Sequence, residues 1–243
     1  MRFGRIATRG GIIDVRDGVD GPVPIEDPWA AFIEGRMPRD LGGPVAGELL
    51  APCQPLVVVG IAQNGPAHPA PVQAWLKSPR TIVASGRPVT LRRDAGTTVA
   101  EGEIAVVIGR DTEGLTSSNA HEYVIGVTAV DDLSSPDRGE IDPRNFESKS
   151  GDGYTPLGPW IDTDADLDTV SLALRIDGVT AGEGSASTLP VPLRECLAYL
   201  AIWTRLGPGD VVMTGAPFTN TPIAPGALVE VHVGDVVLST PTR

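Results

Sequence analysis

The sequence has few cysteines and no long apolar run. Its two cysteines, Cys53 and Cys196, lie far apart without a metal-ligating partner at useful spacing, which argues against a disulfide-stapled fold and is typical of a reducing cytoplasm. Residues 1–5 lack the apolar core of a signal peptide, and no run approaches the ~20 residues that a membrane helix needs. These absences predict a cytoplasmic protein without a membrane partner.

Positive charge is also scarce. Lysine and arginine together number 19 against 31 acidic residues, which gives a net charge of −12, and the basic residues are scattered along the chain. This distribution argues against nucleic acid as a partner. It leaves room for an anionic small substrate, because a bound metal ion reverses the local electric field.

Aromatic residues make up 5% of the chain, whereas glycine (29) and proline (23) are abundant. Many turns between valine-rich segments predict an α+β, mostly β fold with a few short helices. A chain of 243 residues can bury a sizeable core. We expect a small N-terminal appendage over 1–47, ending in a glycine-rich linker, and a main domain over 48–243.

Several segments within these two parts have clear signatures. The N-terminal part begins with a hairpin across 2–15 and a short helix that Asp27 caps. The main domain contains a strand over 56–62 and a helix over 193–206, whose apolar residues recur at helical spacing. Between that strand and Lys77, the proline-rich loop 63–71 is suited to a mobile lid.

Glu101 and Glu103 flank Gly102 at the start of the apolar run 104–108. Side chains alternate faces along a strand, so the two carboxylates point the same way. Two like charges this close need a cation or a shared proton, and Mg²⁺ prefers such oxygen ligands. An isolated pair of this kind is more often a solvated strand start, and only the rest of the chain changes that interpretation.

Asp132 and Lys149 are the next candidates along the chain. Asp132 follows an extended run over 124–130, and together with the two glutamates it supplies three carboxylates, enough for an octahedral Mg²⁺ with open positions. Taken alone, Asp131-Asp132 is a turn signal. Lys149, in a polar loop, is suited to neutralise an oxyanion as it develops, although most lysines are simply exposed.

The order of these motifs resembles that of the fumarylacetoacetate hydrolase family over roughly 55–235. The resemblance rests on the E-x-E strand, the strand that ends in Asp-Asp and the later segments Lys149 to Asp152, Leu157 to Trp160 and Gly209 to Pro217. It implies a mixed β-roll fold, a homodimer and a divalent metal, usually Mg²⁺ with Mn²⁺ or Ca²⁺ as alternatives. On this sequence the family's metal ligands fall on Glu101, Glu103 and Asp132, and its catalytic lysine falls on Lys149.

Two departures from the family pattern affect substrate binding. The usual Ser-x-Arg-Asp has Pro136 in place of the arginine, so that Arg138 would have to reach in from two positions on. The usual Gly-Thr-Pro has Ala216 after Gly215, which removes a hydroxyl donor. Candidate substrate contacts are therefore Arg138, Asp152, Gly215 and Ala216, and the two losses favour a substrate without the usual carboxylate.

The resemblance implies a small keto-acid or dicarbonyl substrate. We expect C–C bond hydrolysis or decarboxylation of a 2-oxo or 1,3-dicarbonyl acid through a metal-stabilised enolate. His68 on the lid is a candidate general base, with Glu140 or a metal-bound water as alternatives, and a loop histidine without a role is equally open. A diverged member that isomerises or rearranges a dicarbonyl and a non-catalytic scaffold are further hypotheses, although a scaffold has no physical need for clustered carboxylates.

Overall fold

The computed structural model describes residues 1–63, 72–142 and 144–243. Strands dominate these ranges: β1 (Arg2–Thr8), β2 (Gly11–Arg16), β3 (Val23–Pro24), β4 (Glu48–Leu49), β5 (Val58–Ile61), β6 (Ala74–Lys77), β7 (Ile82–Ala84), β8 (Thr98–Ile108), β9 (Val124–Asp131), β10 (Thr155–Leu157), β11 (Ile161–Asp162), β12 (Ser171–Ile176), β13 (Val179–Ser185), β14 (Val211–Met213), β15 (Asn220–Ile223), β16 (Leu228–Val233) and β17 (Val236–Pro241). The α-helices are short: α1 (Pro28–Ile33), α2 (Pro136–Gly139), α3 (Phe146–Lys149) and α4 (Leu193–Trp203). The expected α+β, mostly β fold is confirmed.

The strands form a sheet of thirteen and a sheet of four. The main path of the large sheet runs β3-β2-β1-β11-β9-β8-β14-β5-β6, and the small sheet runs β13-β12-β16-β17. Most neighbours are antiparallel, but β14 pairs with β5 and β10 with β7 in parallel. The large sheet is therefore mixed, as the resemblance implied.

Strand β8 lies at the centre of the molecule and is buried on both faces. Ile104, Val106 and Ile108 pack into one hydrophobic cluster, whereas Ala105 and Val107 pack into a second. The apolar run has no polar alternation because each face of the strand meets a separate part of the core. This double burial fixes the backbone on which the two glutamates stand.

The small sheet lies over β8 at Gly102. A Cβ atom on this glycine would lie 3.3 Å from Val231 and 3.4 Å from Leu174, both in the small sheet. Gly102 thus faces the small sheet, and because side chains alternate, Glu101 and Glu103 point to the opposite face. The glycine lets the second sheet pack closely behind the candidate site.

Several local predictions are confirmed. β1 and β2 form the expected hairpin, and Asp27 caps α1 by accepting hydrogen bonds from Trp29 N–H (2.9 Å) and Ala30 N–H (3.2 Å). The extended run before Asp132 is β9. These features depend on neighbours in the sequence, which is why the sequence predicts them.

Three predicted boundaries are wrong. The strand predicted over 56–62 is β5, which spans only Val58–Ile61. Strand β8 begins at Thr98 rather than Glu101, because β15 pairs with its first residues. Helix α4 ends at Trp203 rather than Leu206, because Thr204 is extended. Leu206 instead packs in the core and donates its N–H to Thr112 Oγ1 at 2.9 Å.

The N-terminal strands continue the large sheet. β1 pairs with β11, where Phe3 lies opposite Ile161, and with β4, just beyond the predicted boundary at residue 47. The division into 1–47 and 48–243 stays a prediction. Among the described residues, every helix is too short or too polar to cross a bilayer.

Candidate active site

Glu101, Glu103 and Asp132 form a cluster that we call the acidic triad. In the β8–β9 ladder Gly102 lies opposite Asp131, so the chain leaves β9 directly beside the two glutamates. The N–H of Asp132 donates to the carbonyl oxygen of Glu101 at 2.8 Å. One carboxylate oxygen from each residue lies within 4.8 Å of the other two. Strand pairing thus brings together residues that are about 30 positions apart in the sequence.

Two lysines compensate the charge of the acidic triad. Lys149, at the end of α3, donates from Nζ to Asp132 Oδ2 at 2.7 Å and also to Glu101. Lys77, at the end of β6, donates to Asp132 Oδ1 and to the carbonyl oxygen of Tyr154, the latter at 2.6 Å. Lys77 is only 3% exposed, and sequence reasoning missed it.

Burial and these charges set the ionisation of the cluster. Burial opposes the charge of Asp132, but Lys149 and Lys77 hold its pKa below the ordinary value. Burial raises the pKa of Glu103 well above its ordinary value, with the charges of Asp132 and Glu101 acting in the same direction. Because Lys149 and Lys77 donate to Asp132 and Glu101, Glu103 is the carboxylate whose charge the lysines compensate least.

The donor set fits a hard divalent cation. All three side chains of the acidic triad offer oxygen, which Mg²⁺, Mn²⁺ and Ca²⁺ prefer. The ammonium group of Lys149 already lies between Glu101 and Asp132, so this position suits a positive charge. Glu101, Glu103 and Asp132 are the residues that would hold the metal.

A cavity of about 510 Å³ opens above the acidic triad. Besides the triad and Lys149, residues from β5, β6 and the α2–α3 region line it: Ile61, Ala62, Gln73, Trp75, Ser134, Pro136, Gly139, Glu140, Asn145 and Ser148. Ser134 Oγ donates to Glu101 Oε1 at 3.0 Å and so orients one triad carboxylate. The cavity is large enough for a small organic acid.

The family model for the fumarylacetoacetate (FAA) hydrolase C-terminal domain matches residues 51–240. The chain belongs to the fumarylacetoacetate hydrolase family. The sequence resemblance is thereby confirmed, and the acidic triad, both lysines and the cavity all lie within the matched range.

Three relatives illustrate the range of the fumarylacetoacetate hydrolase family. The structure of 5-carboxymethyl-2-hydroxymuconate delta-isomerase from Mycobacterium smegmatis is 31% identical, has a TM-score of 0.91 and covers 100% of this chain and 99% of its own. A 4-hydroxyphenylacetate degradation bifunctional isomerase/decarboxylase of Salmonella dublin is 36% identical over 140 residues, which are 56% of this chain and 33% of that protein. A maleylpyruvate hydrolase of Aquipseudomonas alcaligenes is 30% identical over 155 residues, 63% of this chain and 53% of that protein.

Of the remaining candidates from the family pattern, Gly215 contacts the acidic triad, whereas Arg138 and Asp152 lie outside the cavity lining. Gly215 N–H donates to Glu103 Oε2 at 2.6 Å, and the residue has a φ of +87°, a left-handed conformation that favours glycine. Ala216 is buried next to it. Arg138 bonds Glu147 through Nε at 2.8 Å, and neither it nor the exposed Asp152 is among the residues that line the cavity.

Glu140 and His68 are the two candidate general bases among the residues of this chain. Glu140 is exposed and lines the cavity. His68 lies outside the described residues. The assignment of a base to either residue stays a prediction.

Proposed function

We propose that this chain is a divalent-metal-dependent enzyme that acts on a 2-oxo or 1,3-dicarbonyl acid by C–C bond hydrolysis or decarboxylation. The observation that carries the proposal is the buried acidic triad, with two lysines, at the floor of a cavity of about 510 Å³. Relatives named as an isomerase, an isomerase/decarboxylase and a hydrolase support an enzymatic role.

Different residues of the chain would have different roles in the reaction. When bound, Mg²⁺ would polarise a substrate carbonyl and offset negative charge that develops on it. Lys149 is held by Asp132 and Glu101 and remains an ammonium group, so it donates hydrogen bonds to a developing oxyanion and does not act as a base. Lys77 and Ser134 orient the triad carboxylates. Proton transfer to or from the substrate then falls to Glu140 or His68.

Isomerisation is the second candidate function. It is favoured by the full-length match to the delta-isomerase structure from Mycobacterium smegmatis, at 31% identity and a TM-score of 0.91. Hydrolysis, decarboxylation and isomerisation all require a developing oxyanion to be stabilised, so the acidic triad and Lys149 serve each of them. Hydrolysis and isomerisation need a base as well, whereas decarboxylation needs a proton donor for the enolate that remains. A non-catalytic scaffold would not need three carboxylates, two of them buried, held together against their repulsion.

A homodimer is part of the proposal. Strand β6 ends the path of the large sheet, and its Leu76 is 72% exposed. Leu56, just before the neighbouring strand β5, is 89% exposed. An edge strand with an exposed apolar side chain is a template for pairing with a second chain. A cytoplasmic location also stays a proposal, supported by two buried cysteines that form no disulfide.

Product analysis tests the proposal. Purified protein with Mg²⁺ is incubated with 2,4-dioxopentanoate, oxaloacetate and an unsaturated dicarbonyl acid, and products are identified by nuclear magnetic resonance. Two fragments indicate hydrolysis, loss of one carbon as carbon dioxide indicates decarboxylation, and a new isomer of unchanged mass indicates isomerisation. Unchanged substrates throughout, in protein shown to bind Mg²⁺, would contradict the proposed function.

A further inference from the structure

The cavity above the acidic triad is poor in positive charge. Lys149 is the cation among its described lining residues, and Asp132 and Glu101 already engage it. Among the described residues, positive charge in this cavity therefore lies at its floor, at Lys149, where a bound metal would add to it.

The cavity wall formed by α2 and its neighbours is neutral or negative. Pro136 lines it where an arginine would supply hydrogen-bond donors, and Glu140 adds a carboxylate. Arg138 is bonded to Glu147 at 2.8 Å and does not line the cavity. A second substrate carboxylate at this wall would lose water, gain no partner and lie near Glu140, which is unfavourable.

The part of the cavity beside Lys149 carries an aromatic side chain in a fixed position. Trp75 on β6 lies opposite Gly60 on β5, and a Cβ on Gly60 would lie 2.3 Å from Cζ2 of the indole ring. The ring therefore lies directly against the β5 backbone, which only a glycine permits. The half-buried ring also lines the cavity, with Lys149 Nζ at 5.4 Å from its centroid.

We propose that this cavity selects a 2-oxo acid with one carboxylate and a flat, apolar acyl or aryl group, and that Trp75 is the specificity-determining residue. The carboxylate and oxo group lie at the acidic triad end, and the apolar group packs against the part of the indole that the ammonium group of Lys149 does not cover. The proposal rests on the proposed function and adds to it the class of substrate that the cavity accepts.

Equilibrium binding tests this specificity without turnover. Pyruvate, phenylpyruvate and 2-oxoglutarate share the 2-oxo acid group but lack the cleavable 1,3-dicarbonyl, so their dissociation constants can be measured by calorimetry with Mg²⁺ present. We expect phenylpyruvate to bind about tenfold more tightly than pyruvate, as one added aromatic contact supplies. We expect 2-oxoglutarate to bind no more tightly than pyruvate.

Variants at Trp75 and at Pro136 test the role of each residue in substrate selection. Trp75→Ala should lower the affinity ratio of phenylpyruvate to pyruvate by about tenfold, and Trp75→Phe should restore part of it. Pro136→Arg should raise the affinity for 2-oxoglutarate relative to pyruvate by about tenfold or more. Circular dichroism of each variant verifies the fold.

The outcomes distinguish a failure of the proposed substrate specificity from a failure of the proposed function. If pyruvate binds but 2-oxoglutarate binds more tightly than phenylpyruvate, or if Trp75→Ala leaves the ratio unchanged in a folded variant, the specificity is overturned and the proposed function stands. If none of the three acids binds in the presence of Mg²⁺, the proposed function fails and the specificity falls with it.

Discussion

Glu103 is the member of the acidic triad whose charge is least compensated. It is 3% exposed and accepts a hydrogen bond from the neutral N–H of Gly215, whereas both oxygens of Asp132 meet an ammonium group. Burial, followed by the charges of Asp132 and Glu101, raises the pKa of Glu103 well above its ordinary value. A bound cation would relieve this residue more than either neighbour.

Mg²⁺ should therefore stabilise the fold, and Glu103→Ala should abolish the effect. A ligand that binds the folded chain stabilises it by a free energy that grows with the logarithm of its concentration over its dissociation constant, and so raises the melting temperature. Differential scanning calorimetry with and without Mg²⁺ measures the shift. Glu113→Ala, at a glutamate whose side chain is 75% exposed, is the control and should respond like the unmodified protein; an equal response in Glu103→Ala would contradict the site.

Lys149→Met should make the fold more dependent on metal. The substitution leaves Glu101 and Asp132 without the ammonium group between them, and breaking a buried ion pair costs about 3 kcal/mol. Without Mg²⁺ the melting temperature should fall, and with Mg²⁺ it should recover by more than the unmodified protein gains. Lys149→Arg retains the charge and should show a smaller fall; identical melting curves for Lys149→Met and the unmodified protein would rule out this role.

The sequence gives a different amount of information about each residue of the candidate site. Strand alternation alone places Glu101 and Glu103 on one face, and family motif order adds Asp132 and Lys149. Lys77 gave no such signal, because its partner Asp132 is 55 residues away and a lysine in a short strand is usually exposed. Only the folded sheet shows that both lysines converge on one carboxylate.

At the scale of elements, the close approach of the paired strands β9 and β11 depends on a glycine. A Cβ atom on Gly126 would lie 2.4 Å from the carbonyl oxygen of Asp162, a backbone atom that cannot rotate away. β9 carries the chain to Asp132 directly beyond its end. A displacement of β9 would therefore disturb the acidic triad as well as the core.

Gly126→Ala should accordingly destabilise the protein by about 2 kcal/mol or more, because the two strands must separate to admit the methyl group. Urea denaturation measures the free energy of unfolding. Gly42→Ala is the matched control, since a Cβ there has no atom within 4 Å, and it should change stability by less than about 0.5 kcal/mol. Equal midpoints for the two variants would be inconsistent with the close approach of β9 and β11.

Elements were predictable where local chemistry decides them. The β1–β2 hairpin and the Asp27 cap of α1 follow from turn and capping residues. The start of β8 could not be predicted from neighbouring residues, because it depends on pairing with β15, more than 100 residues later. The end of α4 could not be predicted either. Leu206 fits the helical spacing of apolar residues, but in the structure it lies beyond the helix and packs beside Thr112.

At the scale of the whole molecule, the exposed edge of the large sheet predicts self-association. Analytical ultracentrifugation should give a mass twice that of the chain. Leu76→Lys, at the edge strand β6, should shift the protein towards monomer because a charge opposes burial of that edge. Leu41→Lys, at an exposed position outside the strands, should leave the dimer intact; a monomeric unmodified protein would contradict the proposed assembly.

The central proposal is that this chain turns over a 2-oxo or 1,3-dicarbonyl acid only with a divalent metal. The most direct test is the ultraviolet absorbance of 2,4-dioxopentanoate mixed with the purified protein, first with Mg²⁺ and then with EDTA. We predict loss of absorbance with Mg²⁺, arrest by EDTA and recovery when Mg²⁺ is restored in excess. Turnover that continues at an equal rate in EDTA would contradict the claim.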